Sequence, residues 1–246
     1  ITNIVAYYNS NGLRVSYAKD IEIYQFSTHG CNGGDDLEIG VTLYHVTSSD
    51  IRYGNTQCAD EVGYYIGEGS NNNIFTQVQT YSSAKVGFKV TSNGNYFNYT
   101  GAYSNDEVGL LFYGGDNNKL NYGWFQNNEY GISFTRGAEN NQLLEPDFDT
   151  NEEYDIHHGY QSNSTRNGWD NILIDVDFDN LYVDSSSRML AKTLVETTIK
   201  DNGTYYWNRV NTTLDSDRRA SSGTNSFWAG DADRNEYGES WDASFK

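Results

Sequence analysis

Positive charge is what this chain most lacks. Sixteen lysines and arginines stand against 34 aspartates and glutamates in 246 residues, a formal net charge of −18. Phosphate backbones and anionic bilayer surfaces are held by clustered Lys and Arg, so no nucleic-acid partner is expected. No apolar run approaches the roughly 18 residues of a membrane span, so no membrane insertion is expected either. Proline occurs once and cysteine twice. The four histidines, His29, His45, His157 and His158, are scattered and show no zinc or copper spacing. There is no initiator methionine and no signal peptide, so Ile1 is expected to be a processed or excised start.

What the chain does have is glycine, asparagine and tyrosine, a β-rich and turn-rich composition with too many aromatics for disorder. It also repeats itself. The stretch YSNDEVGLLF at 103–112 has near-copies in YSSAKVGFKV at 81–90 and FQNNEYGISF at 125–134. Anchored on the glycine, the unit recurs at Gly63, Gly87, Gly109 and Gly131. It extends back to Asp36 (DLEI) and Gly12 (GLRV), and forward to Asp155 (DIHH). A period of about 22–24 residues signals a solenoid, and the segments alternate at period two where helices would show 3.6.

About ten residues after each anchor an asparagine opens a second apolar pair, at Asn73, Asn95, Asn118 and Asn141. The aromatics Tyr81, Tyr103 and Phe125 mark a third position, six residues before the anchor. Several short strands per coil describe an all-β, single-stranded parallel β-helix over residues 1–160, of about six or seven coils. Like should stack on like at the interstrand spacing of about 4.8 Å. The expected inward columns are Leu13, Leu37, Tyr64, Phe88, Leu110, Ile132, Ile156 and Val15, Ile39, Ile66, Val90, Phe112, Phe134. The asparagines are expected in tight turns, where they tolerate left-handed geometry and can bond their copies above and below.

On this unit and its following asparagine, the chain resembles the right-handed parallel β-helix, or pectate-lyase-like, superfamily over roughly residues 3–160. The resemblance implies the fold and a setting among proteins that cleave or bind polysaccharides, or that serve as tail spikes, adhesins or envelope proteins. Such enzymes usually work on an outer sheet face. The outward column there reads Arg14, Glu38, Tyr65, Lys89, Leu111, Ser133, His157. Arg14, Glu38, Tyr65 and Lys89 suit a β-elimination, in which Tyr65 or Lys89 takes a proton and Arg14 or Lys89 steadies the uronate. Tyr65, Lys89 and His157 would line a carbohydrate groove. A solvated face of alternating charge would spell the same column.

A second column, Glu61, Lys85, Glu107, Glu129, Glu153, places carboxylates one coil apart. That spacing suits a retaining glycosidase pair or calcium, and equally a copied surface turn. The GGDD at 33–36 resembles the paired aspartates of galacturonan hydrolases, but their Gly-His-Gly and Arg-Ile-Lys segments are missing.

Cys31 and Cys58 each fall five residues before an anchor, so a disulfide between adjacent coils is expected, and with it an oxidising, extracellular setting. Stacked free thiols are the alternative. The N-terminal coil has no obvious cap, which predicts a longer parent chain or a homo-oligomer at that end. From 161 to 213 a β-rich extension is expected. It comprises the strand NILIDVDF, with Ile172, Ile174, Val176 and Phe178 on one face, and a hairpin turning at Asn202-Gly203. The stretch 184–192 has a helical alternative. Residues 214–246 read as a polar, Gly/Ser-rich tail with Phe227, Trp228, Tyr237 and Trp241 as docking anchors, in which Asp231, Asp233 and Asn235 are spaced like the start of a Ca²⁺ loop. The glycine falls at the eighth place and not the sixth, so only a looser site is expected. No cofactor is otherwise required.

The leading functional expectation is a secreted or cell-surface module directed at polysaccharide, by binding or by lyase or glycoside-hydrolase cleavage. The alternative is a non-enzymatic structural protein of an envelope, sheath or virion spike.

Overall fold

The computed structural model describes residues 2–7, 11–30, 37–83, 85–158, 171–174, 176, 180–183, 188–191, 198–200, 204–207 and 226–229. These residues form two sheets of parallel strands, one of twelve and one of nine. The chain is a parallel β-helix of about five turns, and no helix occurs among the described residues.

One coil shows how the sequence makes the turn. Val108–Tyr113 lies in the nine-stranded sheet and Lys119–Gln126 in the other. Three corners bend the path, each with a residue at positive φ: Asn117 (56°), Tyr122 (56°) and Asn127 (54°). Asparagine adopts this geometry readily, whereas an aromatic does so rarely. The expectation that the ladder asparagines are themselves left-handed is corrected. The left-handed residue is the one before, at Asn72, Gly94, Asn117 and Asn140.

The asparagines that follow are fully buried. Asn73, Asn118 and Asn141 each donate one amide hydrogen to a backbone carbonyl of the preceding coil, at 2.7–3.0 Å. The other goes to the amide oxygen of the next asparagine, at 3.0–3.2 Å. Asn171 continues this column and Ser49 begins it. A second ladder runs through buried Asn105 and Asn128 to half-buried Asn151 at the opposite corner. Each ladder saturates polar groups that burial would otherwise leave unpaired.

Between the ladders the core is two stripes of apolar side chains plus those of the twelve-stranded sheet. Phe88, Leu110, Ile132 and Ile156 lie in register, as do Val90, Phe112 and Phe134. The rings stack at the strand spacing, Tyr64 on Phe88 at 4.8 Å and Phe112 on Phe134 at 5.2 Å. The first column is completed differently from expectation, because Gly12 pairs into register with Gly40 and not Asp36. Leu13 faces Val41 and Val15 faces Leu43. Leu37 is buried all the same, outside the column. The aromatic position before the anchor also slips by one. Tyr81 and Tyr103 stack outward, whereas Phe125 points inward over Ala102.

The anchor glycine breaks the alternation. Val108 packs on the outer face with Leu111, yet both Gly109 and Leu110 face the core. A Cβ on Gly109 would lie 2.6 Å from the carbonyl oxygen of Gly131, and the same close approach repeats from Gly63 to Gly131. Only a residue without a side chain fits between coils there.

Beyond residue 170 two expectations are corrected and one open alternative is decided. Leu173, not Ile172 or Ile174, is buried, stacked on Leu143 in phase with buried Asn171, whereas Val176 is buried as expected. Arg188–Ala191 is a strand, not helix. Thr198–Lys200 and Thr204–Trp207 belong to different sheets and pair in parallel, so they do not form a hairpin. The coil pattern continues where its spelling fades.

Candidate functional site

The outer face of the nine-stranded sheet is a trough. Its floor is a column of valines, Val62, Val86 and Val108, only 6–8% exposed although they point away from the core. They are covered by flanking side chains and by Tyr65, Tyr113 and Tyr130.

One wall is the glutamate ladder, and here the corrected register matters. Glu38 does not share a column with Arg14, Tyr65 and Lys89; Thr42 occupies that place. Glu38 instead precedes Glu61 in the ladder, its carbonyl accepting the Glu61 N–H at 3.0 Å. The wall therefore reads Glu38, Glu61, Lys85, Glu107, Glu129, Glu153. Lys85 Nζ donates to Glu61 Oε1 at 2.7 Å, which holds the Glu61 carboxyl below its usual range.

The other side carries Arg14, Thr42, Tyr65, Lys89, Leu111, Ser133 and His157 in register. Tyr65 and Lys89 are thus neighbours, as expected. Lys89 also lies 4.8 Å from the centre of the Tyr113 ring, and Arg136 lies 4.5 Å from the same ring. Tyr113 and Arg136 were not foreseen.

The trough deepens over three coils into a cavity of about 360 Å³. It is lined by Glu107, Val108, Leu111, Glu129, Tyr130, Ser133, Thr135 and His157. Tyr130 stands where earlier coils carry valine, and that exchange was its only mark in the sequence. Its hydroxyl donates to Glu153 Oε2 at 2.9 Å. Burial, with hydrogen bonds to Glu153 and Glu129, pushes the phenol well above the usual tyrosine range. Tyr130 is therefore a hydrogen-bond donor at ordinary pH and not a base. Its ring sits 4.9 Å from that of His157, whose Nδ1 is 3.0 Å from Ser133 Oγ. Thr135 is 6% exposed, and its hydroxyl has no hydrogen-bond partner.

A second surface lies on the twelve-stranded sheet. Tyr24 and Tyr53 meet edge to face at 5.0 Å, and Tyr99 stacks on Tyr122 at 5.2 Å beside Trp124. Tyr53 and Tyr99 are 46% and 40% exposed.

Among the described residues no group of three or more His, Cys, Asp or Glu could hold a metal ion. Asp231, Asp233 and Asn235 lie outside the described residues, as does Cys31. Cys58 follows a strand end where Gly30 N donates to Gln57 O, so the residue opposite Cys58 is Gly30, immediately before Cys31. The chain matches no protein-family model, and no curated protein or solved structure matches it.

Proposed function

We propose that this β-helix is a secreted or cell-surface module that holds a linear polysaccharide in the trough. The observation that supports this most is the cavity spanning three coils. It combines apolar floor, aromatic edge, carboxylates and hydroxyls in one depression. Sugar rings present apolar faces to aromatics and hydroxyls to polar side chains, so this mixture suits them. A solenoid also repeats its surface about every 4.8 Å, so successive units of a polymer meet equivalent columns. If the module cleaves its ligand, the chemistry is that of a polysaccharide lyase or glycoside hydrolase. Lys89 with Tyr65 and the glutamate ladder are then the groups to test. A Cys31–Cys58 bridge belongs with the extracellular setting.

The test is a polysaccharide panel scored for retention and for ultraviolet absorbance of unsaturated products. Retention of at least one glycan, lost in Tyr130→Ala, supports the reading. Retention that survives Tyr130→Ala and Leu111→Arg, or none across the panel, sinks it.

A second reading is a structural protein of an envelope, sheath or spike. It is favoured by two aromatic groups on the twelve-stranded sheet, exposed Tyr24 with Tyr53 and exposed Tyr99 beside half-buried Tyr122 and Trp124, since clustered aromatics suit interfaces. Light scattering separates the two: assembly abolished by Tyr99→Ser with Trp124→Ser, and inertness toward glycans, would favour it.

A further inference from the structure

We propose that Ser27, His29 and Gln57 form a nucleophilic acyl-transfer site that cleaves short-chain esters. It lies on the twelve-stranded sheet, apart from the trough, and does not depend on what the trough holds.

Strand alternation brings the three groups together. In Glu22–His29, Phe26 and Thr28 are buried, so Ser27 and His29 point outward on one face. Pairing with Asp50–Gln57 sets Asn55 beside Ser27 and Gln57 beside His29 on the next coil. Ser27 Oγ lies 2.6 Å from His29 Nε2, and His29 Nδ1 lies 3.0 Å from Gln57 Oε1. All three residues are half-buried, neither sealed in the core nor fully solvated.

The second of these contacts gives the first its direction. The Gln57 amide oxygen can only accept, so in the neutral imidazole the ring proton stands on Nδ1 and Nε2 keeps its lone pair. Nε2 therefore accepts the hydroxyl hydrogen of Ser27. A hydroxyl bonded to a base, and that base held by a third group, is the arrangement that activates a serine.

In the first step Ser27 Oγ bonds to the ester carbonyl carbon while its proton passes to His29 Nε2. The alkoxide then leaves with that proton, and an acyl-serine remains. Water adds to the acyl carbon, giving a proton to Nε2, and the carboxylic acid departs as Ser27 regains its hydrogen. Asn55, in register with Ser27, is the amide donor the site offers to the carbonyl oxygen as charge develops there. The outward columns continue as Gln79 and Tyr81, then Gly101 and Tyr103. None of these carries a carboxylate, so in a chain of net charge −18 they set no like charge beside that oxyanion. An outward sheet face encloses little of a long acyl chain, which restricts the acyl group to a few carbons.

The experiment treats the intact protein with a fluorophosphonate, which bonds phosphorus to an activated serine oxygen and releases fluoride. Peptide mass spectrometry locates the adduct, and p-nitrophenol release is followed from the acetate and decanoate esters. The adduct is expected on Ser27, with acetate turned over faster than decanoate. Ser27→Ala should remove both adduct and turnover, and His29→Ala should lower each by at least about a hundredfold. Gln57 is a positioning residue. Gln57→Leu should lower kcat, and Gln57→Glu should restore it, because a carboxylate holds the same tautomer and steadies the imidazolium. Wild-type protein unlabelled at Ser27 overturns the proposal without recourse to any variant. So does acetate turnover that survives Ser27→Ala at the native rate, or Gln57→Glu remaining as slow as Gln57→Leu. Decanoate cleaved as fast as acetate would overturn the substrate class.

Discussion

The side-chain amide of Asn118 donates to Oδ1 of Asn141 at 3.1 Å, and that same oxygen accepts the backbone N–H of Asn118 at 2.9 Å. One oxygen thus closes two bonds across the gap between coils, and Asn118 does the same for Asn95. Asn118→Ala would strand the Asn95 N–H and the Ser92 carbonyl in the interior. The expected cost is about 2–4 kcal/mol, the sum of one or two unsatisfied buried groups. Urea unfolding checks it; a loss below about 0.5 kcal/mol, the level of a surface change, would show that the ladder is not what holds this corner.

Gly109→Ala should be worse than Gly114→Ala, although Gly114 is the glycine with the unusual backbone (φ 72°). At Gly114 the new methyl meets its nearest neighbour at 3.3 Å and costs about 1 kcal/mol of conformational strain. At Gly109 it would sit 2.6 Å from the Gly131 oxygen, so backbone must move. Thermal midpoints of the two variants in the same buffer decide it, and equal shifts would contradict the close-approach explanation.

Alkaline pH should destabilise the protein through Tyr130. Its folded-state pKa is raised, so folded and unfolded forms both keep the proton below about pH 10 and stability is unaffected there. Above that, the unfolded phenol ionises while the folded one does not, and stability falls with rising pH until the folded phenol also titrates. Tyr130→Phe should make that fall shallower, whatever its effect at neutral pH. Urea midpoints measured from about pH 9 upward test this; parallel curves for the two proteins would be the contrary result.

The cysteine pair gives a chemical test of the proposed extracellular setting. Protein isolated without reductant should resist alkylation at both Cys31 and Cys58, and non-reduced peptide maps should contain the linked pair. Reduction should lower stability by roughly 3–4 kcal/mol, from the entropy regained by the opened loop. Quantitative labelling of both thiols in native oxidised protein would rule the bridge out.

How much of this was written in the sequence depends on the coil. Phe88, Leu110 and Ile132 stack as their spelling suggested, because each follows a glycine whose neighbours alternate without ambiguity. The second coil misled because Asp36-Leu37-Glu38-Ile39 imitates the unit four residues ahead of the real one, Gly40-Val41-Thr42-Leu43. That slip moved Glu38 from the acidic wall to the opposite column. Around Leu173 both phases are apolar, and only the burial of Asn171 chooses between them. The Asn105–Asn128–Asn151 ladder stayed hidden because charged residues, not an apolar pair, follow those asparagines. The cavity itself was not legible. Tyr130 and Thr135 meet there because the sheet is hollowed across coils, a property of tertiary shape that no period records.

The asparagine ladders also give the molecule a direction. Asn73, Asn118 and Asn141 each use the amide oxygen of the coil that follows and a carbonyl of the coil that precedes, so the two ends of the stack are chemically unlike. Were two such stacks to join along their common axis in register, donors would have to meet acceptors, tail against head. Contacts of that kind do not close on themselves, so an assembly built this way would grow as a polar fibre and not as a symmetric pair.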